Sequence, residues 1–326
     1  MKLTVVIPTR NRVDFIKKLL GSITRQTLSN EVFEVIVVDN GSTDNTKEVV
    51  NIYKDAFPNY SYIYDDNPGL HIGRNIGMQQ SKGENIVFAD DDIVPYPRWL
   101  ETIVEIFDNK PEVALVGGNN IPVYEEECPD WIKMLWEESP YGKYCGTFSL
   151  IDLGTEEKYI PSNLIFGCNY AIRKEVLKDI GGFNPDGMPE KLIMYRGDGE
   201  SYVSRRVTEL GYEAYFHPDA SVKHFVSKER MSINYVYKRS YLQGISDSYT
   251  HIRDRGHMLY SDLLESKISC EQKYNDLSNA SDIKLELNKG YIEGYLQHQL
   301  FVFNNPQLLS WILRKSYVGN NGILPI

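Results

Sequence analysis

The sequence predicts an α/β fold: a mostly parallel, Rossmann-like sheet flanked by helices, followed by a C-terminal helical extension. Three observations carry that prediction. Over the first half, short β-branched runs alternate with amphipathic stretches of helical period, the pattern of βαβ units. The strands "LTVVIP" and "FEVIVVDN" are nearly continuous apolar runs, as expected where helices cover both faces of a sheet. Beyond about residue 230 the strand signals fade, and tyrosines from Tyr235 to Tyr295 are spread over helical sequence.

In chain order, "LTVVIP" is a strand, "VDFIKKLLGSITRQ" a helix and "FEVIVVDN" a second strand. In "GSTDNTKEVVNIYKDA", the candidate caps Ser42, Thr43 and Asp44 precede Val49, Val50, Ile52 and Tyr53 at helical spacing. "YSYIYD" follows as a strand, "HIGRNIGMQQSKG" as a short helix stopped by Gly83, and "NIVFAD" as a fourth strand. "RWLETIVEIFDN" and "VALVGG" give a helix and a fifth strand. The segment 120–160, with Glu125, Glu126, Glu127 and several aromatics, reads as an irregular excursion from the sheet. Then come a strand "NLIFGCNYAIR", a helix "KEVLKDIGG", a loop "FNPDGMPEKLIMYRGDG", a helix "ESYVSRRVTELG" and a strand "YEAYFHP". The expected division is a catalytic domain at 1–229 and a helical extension at 230–326.

Composition narrows the function classes. With 326 residues, 42% hydrophobic and 25% charged, the chain has the profile of a folded protein. A net charge of −10 argues against a nucleic-acid-binding face while leaving room for a local basic pocket. Four dispersed cysteines without a CxxC pair fit neither a zinc site nor a disulfide scaffold, so a reducing cytoplasm is expected. No run of about 18 apolar residues marks a membrane span. Leu308, Leu309, Ile312 and Leu313, followed by Arg314 and Lys315, form an apolar helix face with a basic flank. It is expected to pack on the catalytic domain or on a second copy in a homo-oligomer, with peripheral contact at the inner face of a membrane as the minority reading.

In open α/β sheets ligands bind beyond the carboxyl ends of the strands. Here those ends carry "PTRNR" (Pro8 to Arg12), "DNGSTD" (Asp39 to Asp44) and "DDD" (Asp90 to Asp92). Adjacent carboxylates need a counter-charge. If strand geometry persists, Asp90 and Asp92 face one side and Asp91 the other. Such a D-x-D spacing lets one carboxylate take a hydroxyl and the other Mg²⁺ or Mn²⁺. The competing reading is a solvated acidic turn. Asp39 either caps the next helix or accepts a base N–H. Arg74 and Asn75 are either surface groups or donors over a base or phosphate.

"TVVIPTRNR", "VIVVDNGSTDNT", "GRNIG", "FADDDIVP", "GGFNP" and "RGDGESYVSRRVTELGYEAYFHPDASVKH", in this order over roughly residues 1–225, resemble the family 2 glycosyltransferases of GT-A fold. The resemblance implies inverting transfer of a sugar from a nucleotide-diphosphate sugar, a UDP-sugar favoured, to a hydroxyl of a glycan or lipid-linked acceptor. Carried over, Pro8, Thr9, Arg10, Asp39, Arg74 and Asn75 line the nucleotide pocket. Asp90 holds the ribose, Asp91 anchors the loop beside the donor, and Asp92 with His224 holds the metal. Where many members have an aromatic, this chain has Arg10, which favours a phosphate or ring-edge contact over stacking. The family's acidic motif appears as D-G-E, and counting back from "LGY" makes Glu200 the base and Asp198 an orienter of the acceptor. Glu200 opens a helix, where the dipole favours its ionised form. Asn169 is a weaker acceptor contact.

Two other readings compete. A sugar nucleotidyltransferase would place a glycine-rich loop after the first strand, and "PTRNR" has no glycine. A non-catalytic nucleotide-sugar or glycan-binding protein would not need both acidic clusters.

Overall fold

The computed structural model describes residues 1–275 and 282–324. Its first part runs β1 (Leu3–Thr9), α1 (Val13–Ile23), β2 (Phe33–Asp39), α2 (Thr46–Ile52), β3 (Tyr60–Tyr64), α3 (Leu70–Gln80) and β4 (Asn85–Ala89). Next come β5 (Ile93–Pro95), α4 (Trp99–Asn109), β6 (Val113–Gly117), β7 (Asn120–Tyr124), α5 (Asp130–Lys133), β8 (Glu137–Ser139), β9 (Gly142–Cys145), β10 (Leu150–Asp152) and β11 (Lys158–Ile160). The chain continues through β12 (Asn169–Arg173), α6 (Lys174–Ile180), α7 (Gly199–Glu209), β13 (Glu213–Phe216) and β14 (Val222–Val226). Four helices close it: α8 (Ile233–Arg255), α9 (Tyr260–Asn275), α10 (Asp282–Asn304) and α11 (Pro306–Ile312).

The central sheet has eight strands in the order β11-β13-β6-β12-β4-β1-β2-β3. The β1, β2, β3 and β4 pairings are parallel, as is β6 with β13, while β12 runs antiparallel between β4 and β6. Every residue of β1 and β2 is buried, which explains why neither alternates in polarity. Leu3, Val5 and Ile7 pack against α1 and α4 through Ile16, Leu19, Leu20 and Leu100. Val6, on the opposite face, packs with Met78, Val203 and Val207 of α3 and α7. Gly77 permits that second contact, because a Cβ there would fall inside the Val6 side chain.

The segment 120–160 departs from the irregular course expected of it. It builds most of a second sheet, in the order β5-β14-β7-β10-β9-β8, mostly antiparallel. Strands of three to five residues, most of whose side chains are only partly buried or exposed, carry too little periodicity to be read locally. The expected strand "NLIFGCNYAIR" is also shorter. Only Asn169–Arg173 pairs, and Ser162–Leu164 forms a 3₁₀ turn.

The helices after residue 230 share a core with the preceding loop. Tyr249, Trp311, Ile312 and Tyr317 pack with Met188, Leu192 and Tyr195. The apolar face of α11 is therefore turned inward: Leu308 and Ile312 are buried, and Trp311 Nε1 donates to the Tyr195 carbonyl. Helices α8 and α10 touch backbone to backbone. A Cβ on Gly294 would collide with the Tyr241 carbonyl, and one on Gly244 with that of Tyr291. No helix among the described residues is long and apolar enough to cross a membrane.

Candidate active site

The loops after β1, β2 and β4 meet at one edge of the central sheet. Asn11 adopts a left-handed φ of 53°, a conformation asparagine tolerates better than most residues. There its side-chain oxygen accepts from Thr43 N (2.7 Å) and its N–H donates to Ser42 Oγ (2.9 Å), tying "PTRNR" to "DNGSTD".

Strand β4 ends at Ala89, so the three aspartates lie in a turn and not in an extended strand. The expected alternation fails for that reason. Asp91 and Asp92 share one cation: Arg12 Nη1 lies 2.9 Å from Asp91 Oδ1, and Arg12 Nη2 lies 2.8 Å from Asp92 Oδ2. Thr9 Oγ1 donates to Asp91 Oδ2 (2.8 Å). Burial lifts the Asp91 carboxyl to about 7, against the pull of Arg12 and the Thr9 hydroxyl. For Asp92, burial pushes upward as well, but His224, Arg12 and Arg230 outweigh it and hold the carboxyl well below the usual range.

His224 arrives from β14, which pairs with β7 and β5. Its Nε2 sits 3.3 Å from Asp92 Oδ1, and Arg230 Nη1 lies 3.5 Å from Asp92 Oδ2. Asp92 Oδ1 and His224 Nδ1 are buried and make no hydrogen bond among the described residues. The 3.3 Å approach of Asp92 Oδ1 to His224 Nε2, outside hydrogen-bond geometry, leaves a buried carboxylate–imidazole pair that fits a cation ligand. No third His, Cys, Asp or Glu joins the pair among the described residues, so water and substrate oxygens would have to complete a coordination shell.

Arg74, from α3, is almost fully buried and connects the two acidic clusters. Its Nη1 lies 3.0 Å from Glu200 Oε2, and its Nη2 lies 3.4 Å from Asp90 Oδ1 while donating to the Gly167 carbonyl (3.2 Å). Asp90 has a raised pKa, from burial first, then from Asp92 and Glu200, with Arg74 opposing. Glu200 sits in the first turn of α7. Asp198, just before that helix, accepts from Asn184 Nδ2 (2.8 Å) and Thr250 Oγ1 (2.9 Å); burial lifts its pKa against both bonds.

Two cavities adjoin here, sharing Leu70 and Asp90. One, of about 220 Å³, is lined by Pro8, Thr9, Arg10, Arg12, Asn40 and Asp91. The other, of about 400 Å³, is lined by Arg74, Glu200, Asp198 and one face of α8.

Pro8, Thr9, Arg10, Arg74, Asp90, Asp91, Asp92, Asp198, Glu200 and His224 are thus brought to one region. Three expected residues are engaged elsewhere. Asp39 is buried, with Oδ1 accepting from Ser42 N (2.8 Å) and Oδ2 from the Tyr62 hydroxyl (2.7 Å), so its carboxylate ties the loop after β2 to β3. Asn75 clamps backbone, donating to the Phe183 and Tyr317 carbonyls and accepting from Phe183 N. Asn169 accepts from Trp99 Nε1 (2.9 Å) and donates to the Ala220 carbonyl (2.9 Å) inside the core. Sequence reasoning missed Arg12 and Arg230. Arg12 was findable, because two buried carboxylates need a cation and "TRNR" supplies two. Arg230 had no signal beyond its nearness to His224 in sequence.

The family model described as glycosyl transferase family 2 matches residues 4–181, more than half of the chain. Glycosyltransferase AglE of Haloferax volcanii is 32% identical over 66% of this chain, an alignment covering 64% of the relative's length. Glucosyl-dolichyl phosphate glucuronosyltransferase of the same organism is 25% identical over 76% of each chain. The mannosyltransferase PcManGT of Pyrobaculum calidifontis, solved with GDP-mannose and Mn²⁺, superposes with a TM-score of 0.55 at 18% identity, covering 94% of this chain and 75% of that one. The chain belongs to glycosyl transferase family 2 and has the GT-A fold.

Proposed function

We propose that this glycosyltransferase moves a sugar, with inversion, from a nucleotide-diphosphate sugar to a hydroxyl of a glycan or lipid-linked acceptor, a UDP-sugar being the first donor to test. The observation that carries the reading is the pair of adjoining cavities sharing Asp90, one walled by the β1 and β4 loops and the other containing Glu200. The donor's nucleotide would lie along Pro8, Thr9, Arg10 and Arg12, with Asp90 holding a ribose hydroxyl at the junction. The acceptor would enter the larger cavity. Residues 1–229 would then form the catalytic unit, and the helices from 230 would complete the acceptor side.

Asp92 and His224 would hold Mg²⁺ or Mn²⁺, the latter present in the mannosyltransferase of the same fold. When bound, such an ion supplies positive charge against the diphosphate leaving group. The chain's own residues do the rest. Glu200, an acceptor-only group while ionised, takes the proton from the acceptor hydroxyl. That oxygen bonds to the anomeric carbon as the bond to the diphosphate breaks and its electron pair leaves with the nucleotide. Arg74 holds Glu200 and Asp90 in fixed relation, coupling the base to the donor side.

The test is nucleotide release from UDP- and GDP-sugars with and without Mn²⁺, followed by the anomeric configuration of the product. Metal-independent release, or a product of retained configuration, would overturn the corresponding half of the mechanism.

A further inference from the structure

The larger cavity has a wall that the family motifs do not describe. Arg239, Gln243, Ser246, Asp247, Thr250 and His251 of α8 all line it. Their spacing places them on one face of the helix, three or four residues apart. Val236, Ile245, Tyr249 and Ile252 of the same helix are buried.

The polar groups on this face differ in how fully they are occupied. Asp247 is fixed by neutral donors, Gln243 Nε2 at 2.8 Å and the Tyr291 hydroxyl at 2.9 Å. His251 Nδ1 is braced by the Tyr295 hydroxyl at 2.8 Å. The other arginines of the cavity are committed. Arg74 holds Glu200 and Asp90, Arg196 holds Asp186 at 2.5 Å, and Arg205 holds Asp254 at 3.1 Å. Arg239 has no hydrogen bond or ion pair among the described residues; Asp186 feels its charge but is already held by Arg196. A guanidinium facing a cavity with its donors uncommitted is suited to a planar or tetrahedral oxyanion, which it binds through paired N–H groups.

We propose that this face of α8 is the acceptor subsite, and that Arg239 binds an oxyanion carried by the acceptor sugar, either a phosphate ester or a carboxylate. Asp247 accepts from the sugar's hydroxyls, and the anchored anion fixes which hydroxyl reaches Glu200. The assignment rests on the glycosyltransferase reading above and adds the chemical class of the acceptor.

The experiment is calorimetry on the full chain with UDP or GDP and Mn²⁺ saturating, so that the donor cavity is occupied. A hexose 1-phosphate, glucuronate and a neutral methyl hexoside are titrated in turn. The expected result is that one anionic sugar binds at least about tenfold more tightly than the neutral one, the phosphate or the carboxylate arm identifying the anion. Arg239→Ala should abolish that preference while nucleotide affinity holds, and Arg239→Lys should restore part of it. Equal binding of charged and neutral sugars, no binding of any, or an undiminished preference in Arg239→Ala overturns the proposal. Should neither nucleotide bind in the first place, the donor-site reading fails, and this assignment fails with it.

Discussion

The two adjoining cavities are both lined with charge, yet they are organised differently. Around the smaller one, Asp91 and Asp92 are matched by Arg12, His224 and Arg230 at 2.8 to 3.5 Å, so the buried charges there are compensated before any ligand arrives. Along the α8 wall of the larger one, among the described residues, Asp247 meets only neutral donors and Arg239 meets no acceptor. A compensated site is rigid and suits a ligand part that varies little, such as a nucleotide diphosphate. Uncommitted polar groups make their strongest contacts only once a partner brings the complement. On the function proposed above, the difference would place preorganisation on the donor side and selectivity on the acceptor side.

The most severe disruption of that division is Glu200→Gln, which should lower transfer by roughly 10²-fold or more while nucleoside diphosphate affinity stays unchanged. Near-normal turnover in the variant would remove Glu200 as the base. Gly294→Ala should act on the acceptor side alone. Forcing a methyl against the Tyr241 carbonyl separates α10 from α8, and about 1 to 3 kcal/mol of stability should be lost in urea melts. Nucleotide binding should persist in the folded fraction, and its disappearance would show that the two sides are one cooperative unit. Asp92→Asn should reduce nucleotide-diphosphate affinity about tenfold in Mn²⁺, with no change in metal-free buffer. An equal loss in both buffers would mean that Asp92 only anchors Arg12.

The smallest effect expected is a pH dependence in the helical layer. His71, in α3 against Gly322, and His298 in α10 are buried, and burial depresses each to about 4. The unfolded chain therefore takes up protons first, near pH 6.5, and stability falls as pH drops from there toward 4. Between pH 7 and pH 6 the loss should be about 1 kcal/mol or less per histidine, read from urea midpoints. His298→Gln should flatten the slope, and an unchanged slope would contradict the assignment.

The edge built by the β1, β2 and β4 loops was the more legible side because each of its parts is a short contiguous motif at the end of a strand. "PTRNR" and "DDD" put several site residues within a few positions, and their placement follows once the strands are recognised. The assignments that drifted were those depending on which way a side chain turns. Asp39, Asn75 and Asn169 stand in motif positions, but backbone groups and Tyr62 or Trp99 from other segments take up their hydrogen bonds. The second sheet escaped notice because its strands are three to five residues long and because β14 pairs with β5 and β7, roughly a hundred residues or more earlier in the chain.

By itself, then, the sequence determined the family and, the short β5 at Ile93–Pro95 excepted, the order of strands and helices through residue 120. These follow from apolar periodicity and from chemistry-bearing residues clustered within motifs. Only the tertiary structure decided that Arg12 serves two aspartates at once and that Arg74 links Asp90 to Glu200. It also turned a polar face of α8 toward the cavity that holds Glu200. Each of these depends on contacts between segments tens of residues apart, where the three-dimensional path of the backbone, and not local spacing, sets which charge meets which.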